Sequence, residues 1–150
     1  MKITVVTAAA LLAAAGAQGK SGTERQVTVY VDSGVVVPFF VRKQAEGLAS
    51  RMFAGIGVTL NWHEFRSPAS ETAAIIIEFV DSTPAGFLPR AWAYALPFEG
   101  VHIRIFWDRM QLETCPQALL AHVMVHEITH ILQGVDRHTA KGIMNARWTP

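Results

Sequence analysis

Residues 116–144 read PQALLAHVMVHEITHILQGVDRHTAKGIM, and the rest of the chain is organised around this stretch. Pro116 suits the first turn of a helix, where its missing N–H would have no partner anyway. Leu119, Leu120, Val123, Val125, Ile128, Ile131 and Leu132 supply the apolar positions of a long helix running to about Gln133, and Gly134 stops it. His126, Glu127 and His130 stand inside that helix. Positions four apart lie one turn apart on one face, so the two imidazoles can point at a single metal ion. Burying two His and a Glu without partners among so many aliphatic residues costs several kcal/mol if they are charged. A bound metal removes that cost.

The segment His126-Glu127-Ile128-Thr129-His130 is an HExxH pattern, which pairs two helical zinc ligands with a glutamate. Glu127 follows the first ligand immediately, so its carboxylate can reach a metal-bound water without being a ligand itself. His138 follows the Gly134 turn and is the candidate third ligand. The metal expected is a single zinc ion. The lone Cys115 cannot form an internal disulfide or build a multi-thiolate zinc site.

Upstream of the helix, the hydrophobic period changes several times. Arg25 to Asp32 alternates, with Val27, Val29 and Val31 on one side, as in a half-buried strand. From Pro38 the period becomes helical: Phe39, Val41, Ala45, Leu48, Ala49, Met52 and Phe53 share a face opposite Arg42, Lys43, Glu46 and Arg51. Gly55 or Gly57 ends this helix. Val58, Leu60 and Trp62 alternate as a second strand, and Ala74 to Val80 reads as a third after a polar loop from Arg66 to Thr72. Asp81 to Arg90 is irregular, Ala91 to Leu96 is short and strand-like, and Val101 to Trp107 is a further strand. The expected fold is α+β: a twisted mixed sheet with a packing helix and a site-bearing helix.

Composition narrows the function classes. Half of the 150 residues (51%) are hydrophobic and only 17% are charged, which excludes bulk disorder and allows one domain with a substantial core. Lys2 followed by the apolar run Ile3 to Ala15 and the small residues Ala15-Gly16-Ala17 has the shape of a secretory signal, with cleavage expected after Ala17. The run is short for a membrane span, which needs roughly 20 apolar residues. Residues 18–150 are then the single mature domain, secreted or periplasmic, with 12 basic against 12 acidic residues once Lys2 is removed. A neutral chain carries no field for a nucleic acid or an anionic membrane, so neither is expected as a partner.

The run HEITHILQGVDRHTAKGIM resembles the metzincin metallopeptidases, whose signature is two helical His, a Gly turn, a third His and a later Met-turn. The resemblance implies His126, His130 and His138 as zinc ligands, Glu127 as general base, Gly134 as the turn and Met144 as the methionine under the zinc. Upstream, Ala74 to Val80, then AWAYALP, then VHIRIFWD, look like the strands and substrate-lining edge strand of matrixin-like enzymes. That similarity implies Ala91, Trp92, Ala93, Tyr94 and Ala95 as substrate-binding residues. Two departures stand out. The family spacing is HExxHxxGxxH, whereas here Gly134 comes one residue late and His138 two residues late. Asp136 therefore occupies the usual third-ligand position, where some relatives use Asp, and it is the alternative to His138. His138 is preferred because imidazole suits zinc and keeps the His-to-Met order. Only Ala146 to Pro150 follow the Met-turn region, so one wall of the family's cleft is expected to be thin or absent.

The expected activity is a secreted zinc-dependent endopeptidase acting on peptide or protein as a monomer. The alternative is a non-catalytic secreted zinc domain that binds a peptide or a cell-wall component. His122 precedes His126 by one turn and is expected to be exposed or to support a ligand, because a catalytic zinc keeps one position for water. His102 is expected on the non-core face of its strand, His63 in a loop, and Cys115 as an ordinary small residue.

Overall fold

The alternating segments become strands and the 3.6-period segments become helices in a computed structural model, which describes residues 25–32, 34–65, 74–87, 91–95 and 101–146. The expected signal at residues 1–17 lies outside these, as do the 66–72 loop and Leu96. In chain order the elements are β1 (Arg25–Asp32), α1 (Phe39–Ala54), β2 (Val58–Glu64), β3 (Ile75–Val80), β4 (Ala93–Ala95), β5 (His102–Phe106), α2 (Trp107–Met110) and α3 (Pro116–Gln133).

The strands form one five-stranded sheet in the order β2-β1-β3-β5-β4. β1 pairs in parallel with β2 and β3, β3 pairs in parallel with β5, and β4 runs antiparallel to β5 at the edge. Parallel neighbours need a long crossover, and α1 supplies it between β1 and β2. The fold is therefore α+β with a mixed sheet.

Alternation places Val29 and Val31 of β1, Leu60 of β2, Ile75, Ile77 and Phe79 of β3, and Ile103 and Ile105 of β5 on one buried face. Ala45, Ala49 and Phe53 of α1 and Leu120, Val123, Met124 and Ile128 of α3 join them in a single core. The opposite face carries polar residues. Arg104 Nε donates to Glu78 at 2.7 Å and its Nη1 to the Tyr94 hydroxyl at 3.2 Å.

Several details differ from the sequence reading. The buried stripe of α1 is narrower than its apolar residues imply: Phe39 in the first turn is 70% exposed. Glu46, expected on the solvent side, is buried instead, with Lys43 Nζ at 2.7 Å and Arg42 Nε at 3.7 Å. A buried carboxylate is tolerated when cations satisfy it. His63 belongs to β2 rather than a loop, its ring 5.3 Å from that of Tyr30. Trp107, read as the end of a strand, opens the short α2, where its buried side chain packs edge-on against Phe79.

Candidate metal centre

The site is built on the last two turns of α3. Pro116 occupies the first turn, and Gly134 ends the helix in the left-handed conformation at φ 64°. Its N–H donates to the His130 carbonyl at 2.9 Å. A left-handed residue here is cheap only for glycine, because a Cβ would crowd the following carbonyl. The turn redirects residues 135–146 back across the helix.

His126, Glu127 and His130 are buried on α3, at 7%, 8% and 5% exposure, while His138 lies on the exposed return segment. One ring nitrogen from each of His126, His130 and His138 falls within 4.8 Å of the other two. His130 Nε2 is 3.0 Å from His126 Nε2 and 3.3 Å from His138 Nε2. Asp136 does not join this cluster. Its negative charge acts on His138 instead, opposing the burial and the nearby His130 that pull the His138 pKa down.

The outer nitrogens define the chemistry of the inner ones. His126 Nδ1 is 2.7 Å from the Ile143 carbonyl and His130 Nδ1 is 2.8 Å from the Val135 carbonyl. A carbonyl only accepts, so both Nδ1 atoms carry the proton. In the neutral rings both Nε2 atoms are then bare lone pairs. Burial lowers the pKa of His126, and the neighbouring His130 and His138 add to this against the Ile143 carbonyl, so its neutral ring is favoured. Lone pairs 3.0 Å apart repel unless a cation lies between them. Two nitrogens bound to one tetrahedral zinc at 2.0–2.1 Å are themselves about 3.3 Å apart. The donor set therefore fits a zinc ion held by His126, His130 and His138.

Glu127 stands beside the cluster without belonging to it. Burial raises its carboxyl pKa to about 7, opposed by the backbone amide of Ala95 on β4. That amide lies on the side of β4 turned away from β5, where no other strand pairs with it among the described residues. Phe106 N–H donates to the Trp92 carbonyl at 2.8 Å. By the alternation of an antiparallel ladder, Ala93 and Ala95 turn their backbone groups away from β5.

The expected substrate-lining residues are placed unevenly. Ala93, Ala95 and Trp92 pack against the core. The Tyr94 ring stacks on Phe87 at 4.9 Å and its hydroxyl accepts from Arg104, while the Ala91 carbonyl accepts from Arg109 Nη1 at 2.7 Å. What this strand offers a ligand is its backbone edge. Met144 is buried in a turn closed by Asn145 N–H donating to the Gly142 carbonyl at 3.1 Å. Its own carbonyl accepts from Thr139 N–H at 2.8 Å. His122 is exposed on α3, with its Nδ1 2.8 Å from the Ala118 carbonyl, and His102 is exposed on β5.

The sequence reading missed the carbonyls of Val135 and Ile143. The available signal was a glycine before each: Gly134 and Gly142 both have positive φ.

No protein-family model matches the chain, and no curated protein matches it. Among solved structures, that of myroilysin aligns with a TM-score of 0.44 at 17% identity. The alignment covers 73% of this chain and 48% of the myroilysin chain, so this chain spans about half the length of that one.

Proposed function

We propose that the chain is an exported zinc-dependent endopeptidase of the metzincin type. The observation that carries the reading is the convergence of three imidazole nitrogens on one point of an HExxH helix, with a buried carboxyl beside them. His126, His130 and His138 would hold the ion. Zinc bound there supplies Lewis-acid activation of water and of a scissile carbonyl.

The other steps belong to this chain. Glu127 accepts a proton from the attacking water at its carboxylate and returns it to the leaving amine. A carboxyl held near 7 is suited to both transfers at neutral pH, and a neighbouring cation shifts it toward the base form. The outward-facing backbone groups of Ala93 and the carbonyl of Ala95, whose N–H is taken by Glu127, are suited to pair with an extended peptide as an added strand. Recognition through backbone in mid-chain favours internal cleavage. Export rests on the signal-like residues 1–17.

Glu127 also separates this reading from a zinc domain that only binds. A non-catalytic site has no use for a costly buried carboxyl next to its ligands. The test is digestion of a broad peptide library by the mature chain loaded with one equivalent of zinc. Internal cleavage that stops on chelation and in Glu127→Gln is expected. A zinc-loaded wild type that cleaves nothing would favour the binding domain, and cleavage unchanged in Glu127→Gln would reveal a contaminant.

A further inference from the structure

Each buried histidine of the cluster is oriented by a backbone carbonyl, and each carbonyl belongs to the residue directly after a left-handed glycine. Gly134, at φ 64°, precedes Val135, whose carbonyl takes His130 Nδ1 at 2.8 Å. Gly142, at φ 79°, precedes Ile143, whose carbonyl takes His126 Nδ1 at 2.7 Å. The first glycine has an evident second duty in ending α3. The second ends no helix, and a Cβ built on it meets nothing within 4 Å, so space is not what makes glycine useful there. What remains is its backbone conformation, which non-glycine residues enter only at a cost.

The turn after Gly142 is closely tied. Asn145 N–H donates to the Gly142 carbonyl at 3.1 Å, Thr139 N–H to the Met144 carbonyl at 2.8 Å, and Thr139 Oγ1 to the Lys141 carbonyl at 2.8 Å. Thr139 is the residue after His138. The same closed loop therefore carries the third imidazole at one end and the acceptor for the first imidazole at the other.

We infer that Gly142 is a positioning residue for the metal centre: its left-handed turn sets the Ile143 carbonyl on His126 Nδ1, which fixes the ring orientation and leaves Nε2 as the bare donor. This rests on the zinc reading above and extends it to a residue that touches no metal. In metal sites generally, the partner of a ligating imidazole selects its tautomer, and loss of that partner weakens metal binding about 10–100-fold. Here the partner is a backbone carbonyl, so the residue controlling it is the one that sets the backbone.

The experiment combines competitive zinc titration with ring-nitrogen NMR of the metal-free full chain. Gly142→Ala adds no clash but strains the turn, and it is expected to weaken zinc about 10–100-fold and to deplete the Nδ1-protonated form of His126. Gly142→Asn, whose side chain tolerates positive φ, is expected to restore most of both. Gly86→Ala introduces the same kind of strain at φ 109° in a different loop, and is expected to change neither. Wild-type zinc affinity and an unchanged His126 tautomer in Gly142→Ala would overturn the inference while leaving the zinc reading intact. A metal-free wild type with the His126 proton on Nε2 would overturn it even if the variant fails to fold. A wild type that binds no zinc overturns both.

Discussion

Replacing Glu127 by glutamine should make the metal-free protein more stable and the zinc-loaded protein inactive. Burial holds the Glu127 carboxyl at about 7, against 4.5 for an ordinary glutamate. The folded state therefore binds this proton more tightly than the unfolded state, and protonation favours folding. That stabilisation is complete below pH 4.5 and is lost as pH rises through about 7. At 1.36 kcal/mol per pH unit, ionising Glu127 costs the fold on the order of 3 kcal/mol at alkaline pH. A glutamine side chain is neutral throughout, has nearly the same shape and keeps an oxygen for the Ala95 amide. Thermal unfolding of both metal-free proteins from pH 4 to pH 9 measures the difference. The midpoints should nearly coincide at acid pH and diverge above neutrality, the Glu127→Gln variant gaining roughly 10 °C. With zinc bound, the same variant should hydrolyse peptide about a hundred- to ten-thousand-fold more slowly, the usual worth of a general base. A variant no more stable than wild type at pH 9 would refute the claim that this carboxyl is held buried at a cost.

The ligand assignment predicts a contrast between two neighbours. His138→Ala should weaken zinc on the order of 10²–10³-fold, taking about a quarter of the roughly 10–16 kcal/mol of a four-ligand zinc site, whereas Asp136→Asn should change it less than about tenfold. Competitive titration with a chromophoric chelator reads both, and the opposite ranking would move the third ligand to Asp136. Met144→Leu conserves volume at a buried position, so it should cost less than about 1.5 kcal/mol and keep its zinc, as metal analysis and denaturant unfolding will show. Ile103→Ala, at a fully buried position on β5, should cost about 2–5 kcal/mol in denaturant unfolding, and a much smaller loss would contradict the shared core of sheet and helices.

Features with a fixed period were the legible ones. Val27, Val29 and Val31 alternate and form β1; the aliphatic residues between Pro116 and Gly134 recur at helical spacing and form α3. The i, i+4 spacing of His126 and His130 placed both on one face because a helix has one geometry. Features that depend on long-range partners were not legible. Glu46 has Arg42 and Lys43 one turn back on its own helix, but its burial and the reach of Arg42 to Glu64 on β2 come only with the fold. His138 was preferred to Asp136 on ligand chemistry and residue order, while the family spacing alone pointed to Asp136; the path of the return segment, with its two left-handed glycines, was not readable from that spacing. The side-chain alternation of β4 was readable, yet the engagement of Tyr94 with Phe87 and Arg104 was not, since those contacts come from other segments. The carbonyls of Val135 and Ile143 did not stand out because every residue has one, and only the glycine before each marked them.

The most direct test is zinc-edge X-ray absorption on the purified chain carrying one equivalent of zinc. Three imidazole nitrogens at about 2.0–2.1 Å are expected, with the remaining scattering from a light oxygen-type ligand. His126→Ala, His130→Ala and His138→Ala should each remove one imidazole from the signal. A sulfur shell at about 2.3 Å would place the metal on Cys115, and fewer than three imidazoles in the wild type would contradict the site described here.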